Sequence, residues 1–109
     1  MRLMLLTAVA LLTAAAAVAS ESGDAAVRVH MECVCRNLAS VDDGRSEAAP
    51  VAEKVIPICR TEHEAAMLAS AGEKWKATSP QSARQLEFTH TLAAVHFCRD
   101  RNVRGTAPR

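Results

Sequence analysis

Four cysteines constrain this chain more than any other feature. Cys33, Cys35, Cys59 and Cys98 occur in 109 residues whose only aromatic side chains are Trp75, Phe88 and Phe97. A domain this small buries only about two thirds of the surface its unfolded chain exposes, so its apolar core is marginal and cross-links carry weight. Whether the cysteines pair depends on the compartment, and the N-terminus bears on that. Met1-Arg2 precedes Leu3 to Val18, a run of apolar or small residues apart from Thr7 and Thr13. Val18-Ala19-Ser20 and Ala17-Val18-Ala19 both offer the small side chains that signal peptidase requires. Residues 1–20 are therefore expected to be a cleaved signal peptide. A spanning helix needs about 20 apolar residues, more than this run supplies, so no stable membrane insertion is expected after cleavage.

Export places the cysteines in an oxidising compartment, secreted or periplasmic, where an even count in a short chain points to two disulfides. Cys33 and Cys35 rarely bond to one another, because so small a ring distorts the preferred geometry. Each takes a distant partner, giving 33–59 with 35–98, or 33–98 with 35–59.

Charge excludes one class of partner. The chain carries 13 Lys+Arg against 12 Asp+Glu, and Arg2 leaves with the leader, so the mature protein is formally neutral. That balance offers nucleic acid or an anionic membrane no electrostatic footprint. Arg99, Arg101, Arg104 and Arg109, opposed only by Asp100, read with Gly105 and Pro108 as a basic flexible tail over 99–109.

Residues 21–25 form a polar lead-in, and 26–98 a single cysteine-stabilised domain. Val27, Val29, Met31, Cys33 and Cys35 alternate with Arg28, His30, Glu32 and Arg36, a period of two that predicts a half-buried strand over 26–36. Ser40 to Pro50 reads as a loop turning at Asp43-Gly44. Val51 to Cys59 predicts a second strand, at an edge or ending in a bulge because of Pro57. Thr61 and Glu64 match a capping box that opens a helix over 62–71, which Gly72 ends. Glu73 to Thr78 suggests a short strand presenting Trp75. Ser79-Pro80 is an N-cap and N1 pair that predicts a helix across 80–98, although Leu86, Phe88, His90 and Leu92 alternate as a strand would. The expected fold class is α+β: two or three short strands, a capped helix, and a longer C-terminal helix or strand-helix.

No catalytic set appears: there is no Gly-rich phosphate loop, nucleophile elbow or paired-carboxylate signature, and disulfide pairing removes every candidate thiol nucleophile. The expectation is a small non-enzymatic module without a cofactor, acting by binding a partner, most simply a protein. Trp75 is a candidate contact residue, with a core anchor as the simpler reading. The alternative is an exported zinc or copper site, or a thiol-active protein, using Cys33, Cys35, Cys59, His63, His96 and Cys98. An enzyme inhibitor presenting loop 40–50 is a third option.

Overall fold

The structure, a computed structural model, describes residues 23–106. The expected signal peptide (1–20), the first residues of the lead-in (21–22) and the last of the tail (107–109) lie outside the described residues. Helix α1 occupies residues 23–41, α2 Ala48–Ala71, α3 Glu73–Lys76 and α4 Pro80–Thr106. Among the described residues there is no strand, so the expected α+β class is corrected to an all-helical bundle. No described helix is long and apolar enough to cross a membrane.

The first correction concerns residues 26–36. As a strand they would bury Val27 and Val29, yet these are 44% and 52% exposed. The buried set is His30, Cys33, Val34 and Leu38, with half-buried Ala26, Asn37 and Val41 continuing the row. That spacing of three and four is one face of a helix. It uses His30 and Val34, which a strand would have turned to solvent. Valine lowers helix propensity by only a few tenths of a kcal/mol, a bias that burial of one continuous face outweighs.

Residues 51–59 are likewise helical. Ala48, Val51, Ala52, Val55, Cys59, His63 and Ala66 form the inner face of α2, while Ile58 is 46% exposed. Pro57 lies inside this helix and Cys59 leaves helical geometry (φ −108°, ψ 18°). Proline removes one ladder hydrogen bond and crowds the preceding turn, so it bends the helix where an edge strand was expected. The expected helix 62–71 is the second half of α2. Its end at Gly72 is as predicted, with the Gly72 N–H donating to the Leu68 carbonyl at 3.0 Å. Its start is fourteen residues earlier, at Ala48, and Thr61 lies inside it. The short strand expected over 73–78 is instead α3.

The Ser79-Pro80 reading holds. Pro80 is the first residue of α4, and the Ser79 hydroxyl accepts from the Ser82 N–H at 3.2 Å. The helix runs on through residues 99–106, the segment read from the sequence as tail. The expected loop 40–50 contracts to residues 42–47, between α1 and α2.

Cross-contacts set the helix directions. His30 meets His63 and Cys33 meets Cys59, so α1 and α2 are antiparallel. Ser46 bonds Arg99 while His63 bonds His90, so α2 and α4 are antiparallel as well. The bundle is up-down-up, with α3 as a short connector. Its core gathers Val34, Leu38, Val51, Val55 and Val95 around both disulfides.

Candidate functional site

The disulfides are Cys33–Cys59 and Cys35–Cys98, with Cα separations of 5.9 and 5.2 Å. Cysteines two apart on a helix point about 200° away from each other. Cys33 therefore reaches α2 and Cys35 reaches α4, which selects one of the two pairings left open by the sequence. The conclusion that each takes a distant partner stands, although the two cysteines leave opposite sides of a helix and not one face of the expected strand. No free cysteine remains. The thiolates required by the cysteine-based metal alternative are thus consumed. His96, its other distinctive member, is exposed on α4, whereas His63 is buried.

Pairing also sets the register of the histidines. One turn back from Cys33 on α1 lies His30, and one turn forward from Cys59 on antiparallel α2 lies His63. Two turns back from Cys98 on α4 lies His90. The three rings gather between the helices: His30 packs edge-on against His63 with centroids 5.1 Å apart, and His63 lies 5.3 Å from His90. His63 Nε2 and His90 Nδ1 are 3.0 Å apart, the length of a hydrogen bond, with one nitrogen protonated and the other accepting. His63 Nδ1 stands 4.0 Å from Glu87 Oε2, and Arg60 Nε approaches that same oxygen at 3.4 Å.

Burial is the main cause that pushes both His30 and His63 below their ordinary value of 6.5. Mutual repulsion acts in the same direction, from His63 and His90 on His30 and from His90 on His63. Glu62 and Glu87 oppose the shift at His30, and Glu64 opposes it at His63. Both imidazoles are therefore neutral at neutral pH. His30 is 6% exposed, and its Nε2 is enclosed without a hydrogen-bond partner; among the described residues Glu62 Oε2 is the other such side-chain atom.

A pocket of about 450 Å³ opens against this cluster. Helix α1 contributes Val27, His30 and Met31 to its wall; α2 contributes His63, Ala66 and Met67. From α4 come His90, Ala93 and Ala94. Ser70 of α2 completes the lining, and three of the wall residues, Ala66, Ala93 and Ala94, are alanines. Trp75 lies behind the wall: it is 8% exposed, packs edge-on against His63 at 5.8 Å and donates its Nε1–H to Glu64 Oε1 at 2.9 Å. It is placed as an anchor for α3, not as a surface contact. Among the described residues, no three His, Cys, Asp or Glu side chains are disposed to hold a metal ion.

In the sequence His63 stands out only as a member of the metal alternative and His90 only within the alternating run 86–92, so the cluster is not legible there. The signal was the combination of helical period with the 33–59 pairing, which aligns His30 with His63; neither alone reveals it. Comparison with family models, with curated proteins and with solved structures finds no match to this chain.

Proposed function

We propose that this is an exported, non-catalytic module that binds a small ligand in the pocket between α1, α2 and α4. The observation that carries the reading is the pocket itself: preformed, about 450 Å³, mostly apolar, with a few histidines converging on it. Ligand sites in proteins have this size and composition. The two disulfides support an oxidising location outside the cytoplasm, in line with the leader read at residues 1–20. They also consume every thiol that could have acted as a nucleophile. The pocket favours a small molecule over the protein partner expected from composition, because a flat partner surface does not require a recessed, histidine-lined space.

Propylbenzene titrated into the oxidised protein tests this. The Met31 and Met67 methyl resonances should shift saturably, and Ala93→Leu, at the otherwise exposed rim, should abolish the shift. Unmoved methyl resonances up to the solubility limit would refute the reading.

A further inference from the structure

Granted the binding reading above, one wall of the pocket differs from the other two in how it is held. Cys33–Cys59 and Cys35–Cys98 tie α1 to α2 and to α4. The second half of α2 and the first two thirds of α4 lie inside the loop that Cys35–Cys98 closes, so the walls they form are covalently confined. Residues 23–31 of α1 precede both bridges and belong to neither loop. This arm gives the pocket Val27, His30 and Met31. It lies along α2 as far as Ser70, another wall residue, whose hydroxyl oxygen would be 3.6 Å from a Cβ on Gly23.

A titratable side chain seats the arm. Between Gly23 and Met31 the one buried side chain is His30; Ala26 and Met31 are half-buried, and Val27 and Val29 are exposed. The His30 ring packs edge-on against His63, which shares its hydrogen bond with His90. His30 Nε2 is closed to solvent and has no partner, so a charged ring gains its hydration only by leaving this seat.

The groups that act on the two buried rings come from every packed element. Helix α2 supplies Arg60, Glu62 and Glu64, and α4 supplies Glu87 and His90; α3 presents uncharged Trp75. Glu62 and Glu87 favour a proton on His30 and Glu64 favours one on His63, while Arg60 is engaged by Glu87. Burial prevails, and both rings are held below 6.5. A histidine depressed in the seated state and restored to its ordinary value on release makes release take up protons. The seated arm is therefore favoured above about pH 6.5 and loses that advantage as pH falls through the depressed values.

We propose that acid opens the pocket: protonation of His30 and His63 releases residues 23–31 of α1 from α2 and α4 and discharges the guest, while the disulfide-tied core stays folded. Release strips one apolar wall from the guest and returns that surface to water. A free segment this short does not hold a helix by itself, so its amides lose their protection.

Native-state hydrogen exchange of the oxidised protein, corrected for the intrinsic rate at each pH, tests the arm without a ligand. Protection of residues 27–31 should fall by about tenfold or more between pH 7.5 and pH 5, the scale of one depressed histidine over that window. Val51, Val55 and Val95 should stay at least about tenfold better protected than the arm at both values. Arm protection that is flat across this range, or equal to that of the core, would overturn the proposal. His30→Leu should reduce the fall by about threefold or more, and a fall as large as the wild type's counts against it. Should that variant fold poorly, the wild-type His30 ring resonances decide: they should titrate below pH 6.5 together with the loss of arm protection, and titration with the arm still seated would refute the coupling. Propylbenzene, which carries no charge at either pH, separates this device from the binding reading. Its affinity should fall by about fivefold from pH 7.5 to pH 5, and equal affinity with the arm released would overturn the discharge. Absence of binding at pH 7.5 would sink the binding reading and the discharge together, while the exchange data still decide the arm.

Discussion

Asp42 and Arg99 are 57 residues apart and meet through a fork of charge-assisted hydrogen bonds. Arg99 Nε donates to Asp42 Oδ2 at 2.9 Å and Nη2 to Oδ1 at 2.7 Å, while Nη2 also donates to the Ser46 carbonyl at 2.8 Å. One side chain of α4 thereby ties down both ends of the α1–α2 loop. The Arg99 hydrogen bond is the leading cause that holds the Asp42 carboxyl below its ordinary value of 3.8. A carboxyl depressed in the folded state stabilises fully above its unfolded pKa and loses that contribution as pH falls through the folded value. Asp42→Asn should therefore cost about 1–2 kcal/mol at pH 7 by urea unfolding, and the cost should shrink below about pH 4. Histidine gives a second window at higher pH. His30 and His63 are depressed below 6.5, so the folded state binds fewer protons than the unfolded one, and stability drops as pH falls below 6.5. The urea midpoint should be lower at pH 5.5 than at 7.5, and His30→Leu should reduce that difference; an unchanged midpoint would count against neutral, buried imidazoles. None of the three pocket histidines was legible as a group, since each is an isolated polar residue until three helices are aligned.

At the scale of elements, the signals that act within a single turn proved the most readable. Gly72 ends α2 with φ 55° and ψ −123°, a backbone region that a Cβ closes to other residues. Gly72→Ala should cost about 1–3 kcal/mol by denaturant midpoint even though the nearest atom to an added Cβ, the Leu68 carbonyl oxygen, is 3.9 Å away. The penalty is conformational, not steric crowding by neighbours. Ser79-Pro80 was equally legible, because a hydroxyl cap and a fixed φ act within a single turn. Residues 26–36 and 51–59 were misread for a common reason. Apolar residues there exceed what one helix face buries: in 26–36 the surplus Val27 and Val29 complete an alternating pattern, and in 51–59 the surplus Ile58 extends a β-branched run. Period two and period 3.6 overlap over so few residues, and only the partner helix decides which subset is inside.

For the whole molecule, the two cross-links differ in reach. Cys33–Cys59 spans 26 residues and Cys35–Cys98 spans 63. In the chain-entropy account these are worth about 3.5 and about 4.3 kcal/mol, comparable to the net stability of a small domain. Replacing Cys35 and Cys98 by alanine should therefore destabilise more than replacing Cys33 and Cys59, as read by thermal unfolding. The order should reverse for probe binding in the pocket, because Cys33–Cys59 aligns His30 with His63. Peptide mapping without reduction should recover 33–59 and 35–98 and no mixed pairing. From composition and spacing alone came the disulfide number, the refusal of Cys33 to pair with Cys35, the stop at Gly72 and the start at Pro80. Each rests on chemistry confined to a few neighbouring residues or to the compartment. The all-helical class, the choice between two connectivities and the histidine-lined pocket came only with the tertiary structure. They depend on which face of each helix is buried against the others, and burial is a property of the assembled bundle that no single segment carries.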